Sequence, residues 1–209
     1  AKAGPDDILI EITVVNRGPE TAVLQLLPTL WYRNTWSWGC KHEGCTLKPT
    51  LVKEGDAAVV GSHETLGASR FDWEFPKGER PKLLFTDNHT NIDRLYGTPN
   101  TDHWLKDAFH SRVIAGDEDA VNPRGRGTKV AGWYELELKP EESRKIRMRL
   151  RGGEEIEGAP FSKEFERIFA KRRSEADDFY RIAIPDHVPL AGRDVARQAY
   201  AGLLWTKQF

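Results

Sequence analysis

At 209 residues the chain has room for one large domain or a domain with an appendage, and 39% hydrophobic with 30% charged residues fits a soluble globular protein. Lys and Arg number 31 against 32 Asp and Glu, a net charge of -1, so no basic excess draws phosphate backbones and no nucleic acid is expected. No apolar run nears the roughly 20 residues of a membrane span. No signal peptide opens the chain, and a cytoplasmic location is the expectation. Residue 1 is Ala rather than Met, which reads as a piece of something longer.

Residues 7–15 alternate, with Ile8, Ile10, Ile12 and Val14 on one face and Leu9, Glu11, Thr13 and Val15 on the other. Period-2 patterning rich in β-branched residues predicts a strand. Asn16, Gly18 and Pro19 supply turn chemistry, and a second strand over 21–29 makes the pair a predicted hairpin. The stretch Leu26–Gly39 then sets Trp31, Trp36 and Trp38 around Arg33 and Asn34. Each Trp ring carries a large apolar area and an N–H that wants a partner. Flat aromatic faces beside polar donors suit a sugar, by stacking on its C–H face and bonding its hydroxyls. Packing inside a Trp-rich core accounts for the same residues, and buried aromatics outnumber ligand-stacking ones.

Cys40 and Cys45 are the only cysteines, with His42 between them. Cys40, His42 and Cys45 could offer three zinc ligands with His63 as a fourth, but structural sites normally show paired ligand couplets. Two reduced thiols or one local disulfide explain the pair as well, and no metal is the expectation. Further strands are predicted over 47–53, 57–63, 69–75, 82–87, 129–138 and 144–151, the last two flanking a hairpin-like turn at 139–143. Many short strands separated by turns favour an antiparallel sandwich over alternating β/α units.

Between 82–87 and 129–138 lie about forty residues with little periodicity, far beyond the ~12–15 usual for a loop. Leu95, Tyr96, Trp104, Leu105, Phe109, Val113 and Ile114 tie this excursion down, and Asp87, His89, Asp93, Arg94, Asp102, His103, Asp107 and His110 give it polar chemistry. It is either a ligand or domain-facing surface or an irregular cap over one sheet. After Gly152-Gly153 the period becomes 3.6, and a helix is predicted over 161–181 with Ser162 as N-cap. The Pro-bounded stretch 184–189 is extended, and a second helix runs from Gly192 to the apolar end at Phe209. Ending while still apolar, without a C-cap Gly, suggests a cut inside a helix of the next domain.

The segments 12–20 and 26–39 together resemble the non-catalytic β-sandwich region of bacterial family-63 glycoside hydrolases, the glucosidases related to mannosyl-oligosaccharide glucosidase. The segments 84–91, 119–123 with 127–129, and 198–209 extend the likeness in the same order along nearly the whole chain. The resemblance implies a large antiparallel supersandwich-like domain preceding an (α/α)6 barrel. That barrel holds an inverting pair of carboxylates, set ~6.5–9.5 Å apart to admit water. On this likeness the chain comprises a sandwich over 1–153, a linker helix and extended linker over 154–191, and the truncated first barrel helix over 192–209. The catalytic carboxylates then lie beyond Phe209, and this chain alone is expected to be inactive.

The expected fold is therefore mainly β, an antiparallel sandwich with a long ordered loop and two C-terminal helices. The expected role is an accessory, non-catalytic part of an α-glucosidase-like hydrolase, packed against the barrel of its own polypeptide and meeting oligosaccharide through the parent enzyme. A free-standing carbohydrate-binding module and a ligand-free interaction sandwich are the alternatives. No residue is assigned to catalysis and no cofactor is expected. The candidate substrate-binding residues are Arg33, Trp36, Trp38, Trp104, Asp107 and His110, with Arg33, Trp36 and Trp38 expected to pack near the excursion over 88–128.

Overall fold

A computed structural model of the chain describes residues 1–39, 41–75 and 79–206. The elements run β1 (Lys2–Gly4), β2 (Asp7–Val15), β3 (Ala22–Leu26), β4 (Thr29–Trp31), β5 (Thr50–Lys53), β6 (Ala58–His63), β7 (Gly67–Trp73) and β8 (Lys82–Thr86). Then follow α1 (Ile92–Tyr96), α2 (Phe109–Ile114), β9 (Arg126–Gly127), β10 (Lys129–Leu138), β11 (Ser143–Gly152), α3 (Lys163–Ala183) and α4 (Leu190–Trp205). A seven-stranded sheet has the order β1-β2-β11-β7-β6-β5-β9, and a four-stranded sheet is built on β10, which pairs with β3, β4 and β8. The chain forms two compact units, 3–161 and 162–209 with residues 1–2.

All eight strands expected from periodicity are present, but neither expected hairpin forms. β2 pairs with β11 and β3 pairs with β10, so the turns at 16–21 and 139–142 each carry the chain from one sheet to the other. Turn residues report where a chain reverses, not which strands then bond. The two arches are fastened together by Asn16. Its backbone N–H donates to the Glu142 carbonyl at 3.0 Å and its carbonyl accepts from Glu141 N–H at 2.8 Å. Its side-chain amide donates to the Glu20 and Leu138 carbonyls at 2.8 and 2.9 Å, while its Oδ1 accepts from Gly18 N–H. The second expected strand is also interrupted at Leu27-Pro28, where the Pro28 carbonyl takes a bond from Gly132 N–H.

The pleat sorts side chains into layers. Ile146 and Met148 of β11, Phe71 and Trp73 of β7 and Val130, Tyr134, Leu136 and Leu138 of β10 meet in one core between the sheets, with Ile10, Ile12 and Val14 packed against it. Two antiparallel sheets around a shared apolar layer make this unit a β-sandwich. Phe71 and Trp73 pack edge to face at 4.4 Å. A Cβ on Gly132 would lie 2.5 Å from the Trp73 indole nitrogen, so only Gly lets that ring reach β10. The alternate residues Ala131 and Trp133 join Leu84, Phe109 and Val121 in a second cluster. The excursion therefore covers the outer face of the four-stranded sheet, as a cap should, and its exposed side remains available for chemistry.

The outer face of the seven-stranded sheet is ionic. Arg149 grips both oxygens of Asp7 at 2.9 and 2.6 Å, Arg147 meets Glu74 at 2.8 Å and Lys145 meets Glu11 at 3.3 Å. The Asp7 hydrogen bond holds the Arg149 guanidinium above its ordinary pKa, against the opposing effect of burial. Arg151, 1% exposed, donates to Asp72 at 3.0 Å and to the Glu157 and Gly158 carbonyls, and Arg70 donates to the other Asp72 oxygen. These alternating Arg residues of β11 are the polar half of the pattern whose apolar half fills the core.

In the second unit, the Ser162 hydroxyl caps α3 by accepting from Glu164 N–H at 3.2 Å. α3 and α4 meet through Arg197, which pairs with Asp177 at 2.6 Å and lies 4.7 Å over the Tyr180 ring. Leu203, Leu204 and Trp205 are 66%, 68% and 88% exposed; Phe209, expected to join them, lies outside the described residues. No helix among the described residues is long and apolar enough to cross a membrane.

Breaking the Arg151–Asp72 pair from one side strands a buried charge, so Asp72→Ala is expected to cost about 3–5 kcal/mol of unfolding free energy. The double variant Asp72→Leu with Arg151→Met should recover part of that loss. Urea denaturation of wild type and both variants measures it; equal stabilities for wild type and Asp72→Ala would contradict the role given to the pair.

Candidate functional site

The Trp-rich segment and the excursion meet around one buried threonine. Thr128 is 1% exposed at the head of β10. Its carbonyl accepts from Tyr32 N–H at 3.0 Å, its N–H donates to Asp87 Oδ1 at 3.1 Å, and its hydroxyl accepts from Asn88 N–H at 2.8 Å. Asn88 closes the circuit by donating its side-chain amide to the Tyr32 carbonyl at 2.9 Å. Asp87 in turn pairs with Lys48 at 2.8 Å. Segments around residues 32, 48, 87 and 128 are thereby fixed to the sheet edge.

Past Tyr32, residues Trp36–Trp38 form a single 3-10 turn ended by Gly39 at φ 67°, a backbone that Gly adopts without strain. Asn34 Oδ1 accepts from the Ser37 N–H and hydroxyl at 3.3 and 2.8 Å. The turn sends its two indoles to different tasks. Trp36 donates its Nε1–H to His89 Nε2 at 2.7 Å. An indole N–H can only donate, so His89 Nε2 accepts, and its proton sits on Nδ1 facing Asp102. Trp38 stays 62% exposed, with the Arg33 guanidinium 5.1 Å over its ring.

Asp102 accepts from His89 and from the Thr101 hydroxyl. Burial would raise its pKa, but the His89 hydrogen bond, the Lys48 charge and the Thr101 hydroxyl outweigh it and hold the carboxyl below its ordinary value. The wall opposite is a small loop stapled by Asn91 and Asn100. Asn91 Oδ1 caps α1 through Arg94 N–H and takes the Asn100 amide at 2.9 Å, and Asn100 Oδ1 takes Ile92 N–H at 2.9 Å. Between these parts opens a cleft of about 330 Å³ walled by Asn34, Trp38, His89, Asn100, Thr101 and Asp102. One exposed indole, two amides, a hydroxyl and a carboxylate held ionised form a set suited to a ligand rich in hydroxyl groups.

The six candidates from the sequence fall into two groups. Trp36 bonds His89 and Trp38 shares a cleft with His89 and Asp102 of the excursion, as expected, while Arg33 lies over the Trp38 ring. Trp104 donates its N–H to the Asp119 carbonyl at 3.2 Å and lines a different cleft. Asp107 receives Asn91 and Arg94 at 3.2 Å each, and His110 donates through Nδ1 to the Asp107 carbonyl; both are tied into the excursion away from the Trp38 cleft. The sequence reading left His89, Asn100 and Asp102 out of the candidate set. His89 meets Trp36 across 53 positions and Asp102 across 13, and no local spacing announces such partners. For the zinc alternative, Cys40 lies outside the described residues. His63 Nδ1 instead accepts from Thr65 and Leu66 N–H, and the described residues contain no cluster of three His, Cys, Asp or Glu suited to a metal.

The fold and the cleft together define a β-sandwich domain that carries an aromatic, polar recess at one sheet edge. No family model matches the chain. The chain is similar to "Uncharacterized protein YMR196W" of Saccharomyces cerevisiae, with 30% identity over 236 aligned residues that take in 98% of this chain and 21% of that protein. It thus spans about a fifth of the length of this curated relative.

Since the folded pKa of Asp102 is depressed, its stabilising contribution is complete above the ordinary carboxylate value near about 3.9 and vanishes as pH falls through the lower folded value. Asp102→Asn should therefore be less stable than wild type at pH 5–7, the gap closing below about pH 4. Urea midpoints of both proteins across that range test it; a gap independent of pH would contradict the assignment.

Proposed function

We propose that this chain is an accessory, non-catalytic sandwich of a larger carbohydrate-active protein, and that its Trp38 cleft holds part of an α-gluco-oligosaccharide. The observation that carries the reading is Trp38 itself. A ring left 62% exposed, in a turn locked by Asn34 and beside hydroxyl-bonding groups, is a poor use of apolar area unless something stacks on it. Arg33 covers one face of that ring, and the sugar takes the other. The resemblance to the sandwich of family-63 glycoside hydrolases supplies the substrate class and the α-glucosidic linkage.

The non-catalytic part of the reading draws on the carboxylates. A glycosidase acid must hold its proton near neutral pH, which takes a raised pKa. Asp102 shifts downward, Asp87 is engaged by Lys48 and Thr128, and Asp107 by Asn91 and Arg94. Each serves as a hydrogen-bond anchor. We assign the chemistry to an (α/α)6 barrel elsewhere in the same polypeptide, in keeping with a relative about five times as long. The exposed Leu203, Leu204 and Trp205 on α4 are the surface we give to that barrel, and the compartment that goes with the reading is the cytoplasm.

Calorimetric titration of the chain with maltotriose is expected to show binding that Trp38→Ala weakens about tenfold or more, the loss of one well-placed aromatic contact. Thermal unfolding of the same variant should move little, since surface substitutions change stability by about 0.5 kcal/mol or less. Absence of binding to any α-gluco-oligosaccharide, or equal affinity in wild type and Trp38→Ala, would contradict the proposal.

A further inference from the structure

A second cleft, of about 440 Å³, opens on the same sheet edge between the Trp104 ring and the turn that leads into β9. Its walls include Lys48, Arg124 and Arg126 against a single carboxylate, Asp87. That local excess of positive charge stands out in a chain whose net charge is -1. The carboxylate is already used: Asp87 Oδ2 binds Lys48 at 2.8 Å and Oδ1 accepts from Thr128 N–H at 3.1 Å. The guanidinium groups of Arg124 and Arg126 have no hydrogen-bond or ion-pair partner among the described residues.

The turn bearing these arginines is held by Asn122, whose own N–H donates to the Phe85 carbonyl at 2.8 Å. Its Oδ1 accepts from Arg124 N–H at 3.0 Å and its amide donates to the Arg126 carbonyl at 2.7 Å. Gly125 takes φ +62° there, and its carbonyl accepts from Lys53 N–H at 2.8 Å. Just beyond, a Cβ at Gly127 would sit 2.3 Å from the Thr86 carbonyl oxygen, so Gly127 is obligatory for the close approach of β9 to β8. Two arginines are thus presented from a fixed backbone, unpaired, over an aromatic wall. Arginine forks match the oxygens of phosphate and carboxylate, and binding costs less entropy when their backbone is already fixed.

From these observations we propose that the Arg124–Arg126 cleft binds the oxyanion group, phosphate or carboxylate, of a small ligand. The guanidinium forks grip the oxygens, Lys48 adds positive potential and Trp104 packs against the attached carbon skeleton. The proposal is independent of neutral-sugar binding at Trp38. Its test is calorimetric titration of the chain at low salt with inorganic phosphate, glucose 6-phosphate and glucuronate, beside maltotriose as the neutral arm. Binding of at least one oxyanion is expected, weakened about tenfold by Arg124→Ala or Arg126→Ala and weakening further as salt rises.

Arg126→Lys keeps the charge and loses the fork, and should fall between wild type and Arg126→Ala. Trp38→Ala should leave oxyanion binding unchanged, so the two clefts can fail separately. Equal affinity for phosphate and glucose 6-phosphate would assign recognition to the phosphoryl group alone, and preference for glucuronate would assign it to a carboxylate; both support the site. Binding by none of the three oxyanions, or affinities unchanged in both alanine variants, would overturn it.

Discussion

Thr128 is the point on which the sheet edge bearing both clefts depends. A residue that gives its carbonyl to the Tyr32 segment and its N–H and hydroxyl to the Asp87–Asn88 segment leaves those two segments no freedom to shift independently. Tyr32 leads directly into the Trp turn, Asp87 and Asn88 begin the excursion, and Thr128 ends it. Buried polar groups of this kind are costly when unpaired and specifying when fully paired. The circuit satisfies each of them, so a stretch of about forty residues with only two short helices and a two-residue strand has fixed ends where a long loop would ordinarily have loose ones. Asp87 and Lys48 line the cationic cleft, and the Lys48 charge also acts on Asp102 in the wall of the aromatic cleft.

The sandwich supplies the rigid frame for that fastening. β10 carries Val130, Tyr134, Leu136 and Leu138 into the inter-sheet core and Ala131 and Trp133 into the layer beneath the excursion. One strand thereby serves two apolar layers, and Lys129 beside Thr128 adds a cation over the Phe109 ring at 4.7 Å. At the far end the paired arches on Asn16 prevent the sheets from sliding past one another. On the seven-stranded sheet, the arginines of β11 convert the polar face of a strand into a fixed lattice with Asp7, Asp72 and Glu74.

Local physics made much of this fold legible in the sequence. Alternation at 7–15, 129–138 and 144–151 located strands, because burial on one face leaves a period of two. Ser162 and the apolar spacing behind it located α3. The two supposed hairpins were misread because Asn16, Gly18 and Pro19 encode a reversal that serves an arch between sheets as well as a hairpin within one. β1, β4 and β9 are too short to show a period. At the site, aromatic types identified Trp36 and Trp38, yet their division of labour depends on His89 and Asp102, whose approach is a product of the tertiary fold. Asp107 and His110 share the composition of a binding surface but serve contacts within the excursion. The arginines of the second cleft read as ordinary surface charge until the strand β9 places them beside Trp104.

The central claim is that Trp38 is the contact surface and Trp36 its support, and the indole N–H resonances of the seven tryptophans report on it directly. In a titration with maltotriose followed by nuclear magnetic resonance, the Trp38 indole signal is expected to shift with saturation while that of Trp133, bonded to Gln25 within the fold, stays in place. The Trp36 signal should remain in the position of an N–H bonded to His89. A Trp38 signal indifferent to sugar at saturating concentrations, with any shift confined to other tryptophans, would contradict the account.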